Sequence, residues 1–86
     1  MTQKINEPVS VSFIFNHNTR AVKPQTVLWN NYPHKILKVG LHHSYRRGET
    51  LFHVFSVISD SLFFRLVLNT DTLSWNLEEI SDGQSN

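Results

Sequence analysis

The sequence predicts an all-β domain, a six-stranded antiparallel meander. Three observations carry that prediction. Apolar and polar residues alternate with a period of two along most of the chain. The alternating runs are short, and Asn, Asp and Gly residues suited to tight turns separate them. No segment repeats its apolar residues at helical spacing.

VSVSFIF, from Val9 to Phe15, is the first strand. Val9, Val11, Phe13 and Phe15 share one face, and Ser10 and Ser12 the other. NHNTR follows as a turn. TVLW, Thr26 to Trp29, is the second strand, and Asn30-Asn31 is a two-residue hairpin turn because asparagine accepts positive φ. The third strand runs from about Lys35 to Tyr45. The fourth is TLFHVFSVI, Thr50 to Ile58, with Asp60 in the tight turn after it. LFFRLVL, Leu62 to Leu68, is the fifth, NTDT a four-residue turn, and LSWNLEEI, Leu73 to Ile80, the sixth. The chain reads as one domain over 1–86, with an ordered core of about 8–80 and a polar tail at 81–86.

A one-residue slip in pairing moves every side chain to the opposite face, so register decides what is inside. A three-residue turn with Gly48 in the left-handed region pairs Tyr45 with Glu49. Val39 then faces Phe55, Leu41 faces His53, and His43 faces Leu51. That register puts Leu37, Val39, Leu41, His43, Leu51, His53, Phe55 and Val57 on one face. Leu62, Phe64, Leu66, Leu68, Trp75 and Leu77 continue it. A turn at Arg47-Gly48 would instead bury Lys38, and the cost of an unpaired buried charge rejects it. So apolar a face must be covered, and the economical cover is the first strand plus the sheet's own curvature. The meander therefore rolls into a small SH3-like barrel or half-open roll. Parity does not carry from Tyr32 and Ile36 to Leu37 and Val39, so a bulge is expected between Pro33 and Leu37.

The opposite face carries Phe52, Val54, Ser56, Ile58, Phe63, Arg65 and Val67, with Lys38 and His42 alongside. The outside of an antiparallel sheet is ordinarily polar. Five large apolar residues there imply cover by residues 1–24, a homodimer contact, or a partner. Phe52 and Phe63, with Lys38, His42, Arg46, Arg47 and Arg65, also have the make-up of a single-strand nucleic-acid surface. There, bases stack on aromatic rings and cations meet phosphates. The candidate binding residues are thus Lys38, His42, Arg46, Arg47, Phe52, Val54, Phe63 and Arg65.

Composition sets limits. With 40% hydrophobic and 17% charged residues, the chain is globular rather than disordered. With no cysteine there is no disulfide framework and no thiolate chemistry, which fits a reducing compartment. MTQKINEP has no apolar run, and no stretch approaches the roughly 20 apolar residues of a membrane span, so a soluble cytoplasmic protein is expected. The net charge of +1 hides an asymmetry. Residues 1–48 hold seven cations against Glu7, and residues 49–86 hold six acids against Arg65. Interleaved strands would neutralise this; a residual basic patch would suit an anionic partner.

Catalysis finds no motif. The three glycines, Gly40, Gly48 and Gly83, make no phosphate loop. Glu78 and Glu79 are neighbours on a strand and point to opposite faces, so they are no carboxylate pair. No enzymatic activity and no cofactor are expected. His43 and His53 share a face on adjacent strands, and two imidazoles can begin a metal site. No third ligand is evident, since Glu79 lies on the far strand, and the expected role of both is to cap the barrel's end by hydrogen bonding.

Several segments carry a resemblance: Trp29 to Tyr32, Ile36 to Gly40, His53 to Val57, Leu62 to Leu66 and Trp75 to Ile80. Together they resemble small uncharacterised bacterial β-domains in which a W-x-x-Y hairpin leads a meander that ends in a W-x-L strand. Some of those domains are encoded near DNA-repair polymerases, which implies a nucleic-acid-linked role. The resemblance spans about two-thirds of the chain, its motifs are structural, and no functional residue transfers. GLHHSYRRGE lies outside it.

The reading that results is a non-enzymatic interaction or accessory module that binds nucleic acid or protein through the Phe52/Phe63/Arg65 face. The alternatives are a self-associating homodimer that uses the same face, and a metal or small-ligand binder at His43 and His53.

Overall fold

The computed structural model describes residues 2–82. Seven strand segments form one antiparallel sheet: β1 (Thr2–Asn16), β2 (Ala21–Trp29), β3 (Tyr32–Lys35), β4 (Lys38–Arg47), β5 (Thr50–Ser59), β6 (Leu62–Asn69) and β7 (Ser74–Ser81). Their order across the sheet is β3-β2-β1-β7-β6-β5-β4. The six expected strands are all present, and the seventh segment comes from dividing the third.

That division closes the roll. Six antiparallel pairings separate β3 from β4, so the two run in the same sense. Only Ile36 and Leu37 link them. They are one long strand, bent at the position where parity breaks in the sequence. Ile36 N–H donates to Gln25 C=O at 2.9 Å on the β2 side, and Leu37 N–H donates to Ile58 C=O at 2.8 Å on the β5 side. The chain thus steps from one edge of the sheet to the other. β1 bends in the same way: its first part pairs with β7, and Ser10 to Asn16 pair with β2. The sheet curls into a half-barrel pinned at the Ile36-Leu37 corner. It stays open at the opposite end, where β4 has no second neighbour among the described residues.

The core fills the curl. Val27, Phe55, Val57, Phe64, Leu66, Leu68, Trp75 and Leu77 are buried, and Ile5, Val9, Val11, Phe13, Val22, Trp29, Ile36, Val39, Leu62 and Ile80 pack around them. Alternation puts Phe55 and Val57 of β5, Phe64, Leu66 and Leu68 of β6, and Trp75 and Leu77 of β7 inside, as the sequence pattern predicts. A bulge at Glu78 then turns Ile80 inward in place of Glu79. Asn30 and Asn31, at φ 53° and 61°, make the expected hairpin turn. Residues 2–24 do not lie over the outer face. They form β1 and the start of β2, which cover the inner face instead.

The expected β4–β5 register is wrong. Arg47 pairs with Thr50, Tyr45 with Phe52, His43 with Val54, His42 with Phe55 and Leu41 with Ser56. The turn is two residues, Gly48-Glu49, with Gly48 at φ 62° in the first central position, as a type II′ turn requires. A bulge between Val39 and Leu41 absorbs the difference, so Val39 still faces inward, opposite Val57. Every residue beyond the bulge is flipped relative to expectation. Leu41 is 67% exposed and Leu37, at the corner, 62%. His43 faces out and His42 faces in.

Candidate binding site

Two four-residue turns border the open end of the half-barrel, and both are built alike. Asn16 and Asn69 close the strands before them. Asn16 Oδ1 accepts from the N–H groups of Asn18 and Thr19. Asn69 Oδ1 accepts from those of Asp71 and Thr72. Each turn ends on a left-handed residue whose N–H returns to the Asn carbonyl: Arg20 (φ 58°) to Asn16 and Leu73 (φ 60°) to Asn69, both at 2.7 Å. Side-chain bonds to the following backbone make asparagine a natural starter for such turns. The second turn is tied across the sheet, because Thr70 Oγ1 donates to Leu51 C=O and Thr50 Oγ1 to Asp71 Oδ2, each at 2.8 Å.

Between these turns lies a cavity of about 420 Å³. Phe13, Phe15 and Val22 wall one side and Leu68 the other, while Arg20, Thr70 and Leu73 stand at the mouth. His42 and His53 complete the lining from β4 and β5. His42 Nε2 and His53 Nδ1 are 2.8 Å apart, so one nitrogen donates and the other accepts. The His42 ring also stacks on Phe55 at 4.4 Å between centroids, nearly parallel. Burial holds the His42 imidazole below the ordinary histidine value of 6.5, and the neighbouring His53 and His43 lower it further.

The expected histidine pair therefore exists with one member exchanged. His53 meets His42, and His43 lies across the sheet on the outer face, opposite Val54. Among the described residues, no group of three or more His, Asp or Glu side chains is placed to hold a metal ion.

The other candidate residues occupy the outside of β4, β5 and β6. Phe52 stacks on Tyr45 at 5.1 Å. Phe63 is 42% exposed. Val54 and Val67 are buried on this face although no described element crosses it, shielded by their cross-strand neighbours. Arg65 Nε lies 2.7 Å from Glu78 Oε1, an ion pair without hydrogen-bond geometry, and pairs across the ladder with Glu79. Arg47 shares the outer side, whereas Arg46, opposite Leu51, has inner parity at the strand's exposed end. Lys38 stands at the far end of β4, opposite Ile58. Nine residue steps along the strand, about 30 Å, separate it from Arg47. The structure thus assembles an apolar outer face with scattered cations and removes His42 from it.

The sequence reading did not single out Phe13, Phe15, Arg20, Val22, Leu68, Thr70 or Leu73 as site residues. One signal was present. NHNTR and NTDTL both begin with asparagine and end on a bulky residue, and the cavity sits between those two matched turns.

An antiparallel half-barrel with an open end, whose terminal strands β3 and β4 each pair on one side only among the described residues, is the class of molecule defined here. Comparison of the chain with protein-family models, with curated proteins and with solved structures finds no match. No helix among the described residues is long and apolar enough to cross a membrane.

Proposed function

We propose that the chain is a non-enzymatic binding module of the SH3-like small-barrel kind, and that it takes an extended, acidic segment of another protein along the free edge of β4. The observation that carries this reading is the edge itself: ten residues, Lys38 to Arg47, paired on one side only. A free edge presents alternate N–H and C=O groups to an incoming strand, and that backbone pairing supplies affinity.

Charge supplies the selection. Lys38, Arg46 and Arg47 are exposed, and their ladder partners Ile58, Leu51 and Thr50 carry no charge. Lys4 of β1 faces Glu79 of β7 across its ladder, whereas the cations of β4 face no acid across theirs. Two copies of β4 paired antiparallel about the His42-His43 midpoint would set Lys38 against Arg47, and like charges directly opposite destabilise a ladder. The same cations attract an acidic strand. Outward-facing Leu41 and Tyr45 give such a strand apolar contacts beside the edge.

Nucleic acid is the second reading, supported by the resemblance to domains encoded near repair polymerases. The charge layout weighs against it. Glu78 and Glu79 flank Arg65, and Lys38 and Arg47 stand at opposite ends of β4.

Isotope-labelled protein titrated with an extended peptide of β4's length, alternating Glu with Val, tests the reading. Shifts should run along residues 38–47, and Arg46→Glu with Arg47→Glu should weaken binding by about tenfold or more. A peptide that leaves β4 unmoved overturns the proposal. So does an oligothymidylate that moves the same residues with a steep salt dependence, which would put nucleic acid in its place. Sedimentation of the free protein as a dimer held by β4 would assign the edge to a second copy.

A further inference from the structure

We infer that the cavity at the open end of the half-barrel is a binding site for a small amphipathic anion, with an aromatic or short aliphatic body and one carboxylate or sulfonate group. This goes beyond the edge-strand reading and does not depend on it.

Size and walls come first. At about 420 Å³ the cavity falls within the range of small-molecule sites, roughly 300–1,000 Å³. Phe13, Phe15, Val22 and Leu68 make it apolar, and it opens at the end of a barrel, a common place for such sites.

The mouth supplies the polar contacts. Among the described residues no carboxylate lines it, and Arg20 is the one permanently charged group that does. Arg20 forms no ion pair with any other described residue. The histidine pair adds a donor whichever way its shared proton lies. If His42 Nε2–H donates to His53 Nδ1, then His53 Nε2–H is left over. If His53 Nδ1–H donates, His42 Nδ1–H is left over. One imidazole N–H and one guanidinium lining the same cavity suit an anionic head group.

Backbone conformation gives a second, independent sign. The two residues that close the bordering turns, Arg20 and Leu73, both hold left-handed backbone that non-glycine residues adopt at a cost. Leu73 is also 62% exposed. Glycine or asparagine would fit each turn more cheaply, and strained residues gather at ligand clamps. Arg20 faces an anion and Leu73 an apolar body, so each side chain accounts for its strained position.

The test uses 8-anilinonaphthalene-1-sulfonate and decanoate as anionic probes and N-phenyl-1-naphthylamine as a neutral one. Decanoate should displace the sulfonate probe at one site and shift the amides of Phe13, Val22 and Leu68. Trp75, whose ring lies 5.6 Å from Phe13, should report the event in its emission. Arg20→Gln should weaken both anions by about tenfold or more while leaving the neutral probe unchanged. Val22→Trp should block all three probes. The proposal is overturned if Arg20→Gln binds decanoate as the wild type does, if Val22→Trp leaves probe binding intact, or if no saturable binding occurs. The read-outs also separate the two proposals: the peptide perturbs residues 38–47, and the small anion perturbs the cavity walls.

Discussion

His42 Nε2 and His53 Nδ1 share a proton across 2.8 Å at the open end of the half-barrel. The pair joins β4 to β5 by side chains close to where the barrel lacks its next strand. It needs at least one neutral ring, because an acceptor nitrogen cannot carry a proton.

A pH dependence follows. Burial first, then the neighbouring histidines, set the folded His42 value below 6.5. Between the folded and unfolded values the unfolded chain holds more protons, so stability rises with pH across that window. The His42 contribution is fully present above about pH 6.5 and is lost as pH falls through the folded value. Melting temperature measured from about pH 8 to pH 5 should therefore drop on the acid side. His42→Phe, which keeps the stack on Phe55, should flatten that drop. An unchanged acid slope in the variant would place the dependence elsewhere.

Register makes a second prediction. Leu41 is 67% exposed and Leu66 fully buried, although alternation alone puts both inside. Leu66→Ala should cost about 2–5 kcal/mol in urea unfolding. Leu41→Ser should stay within about 0.5 kcal/mol. Equal large losses at both positions would restore the register that puts Leu41 inside.

Gly48 isolates backbone strain. It holds φ +62°, and a Cβ added there would meet no atom within 4 Å. Gly48→Ala should cost about 1–2 kcal/mol from backbone conformation alone. In a domain of this size that is a fall of several degrees in melting temperature. No change on calorimetry would mean that the turn is not held in this form.

Leu73 should behave in the opposite way. Its left-handed conformation is relieved by glycine, and its exposed side chain contributes little packing. Leu73→Gly should stabilise the fold by up to about 1 kcal/mol while weakening small-anion binding, a trade of stability against function. A destabilised variant would show that Leu73 packs rather than waits at the mouth.

Much of the fold is legible in the sequence because β5, β6 and β7 as far as Leu77 alternate without interruption, and their inner faces follow directly; past Leu77 a bulge at Glu78 turns Ile80 inward. Asn30-Asn31 declares its own turn. The failures share a cause, which is bulges. The bulge in β4 falls at Gly40, which has no side chain to mark the change of face, and it reverses Leu41, His42 and His43 together. Pro24 hides the start of β2, since proline argues against a strand except at an edge or bulge, and it sits beside the β1–β2 bulge. TQKINEP shows no alternation. It becomes strand through pairing with β7, with Asn6 at φ 52° within its bulge. The cavity depends on side chains from five separate strands and two turns, a convergence that only the closing of the curl reveals.

The central claim is that β4 is a free edge. Amide hydrogen exchange of the monomer, read residue by residue, tests it most directly. Along Leu41 to Arg47, protection should alternate: amides bonded to β5 exchange slowly, and those pointing away exchange at nearly the rate of an unstructured chain. Uniform protection across all of these amides would mean that the edge is already covered, and would contradict both the half-open barrel and the strand-adding role built on it.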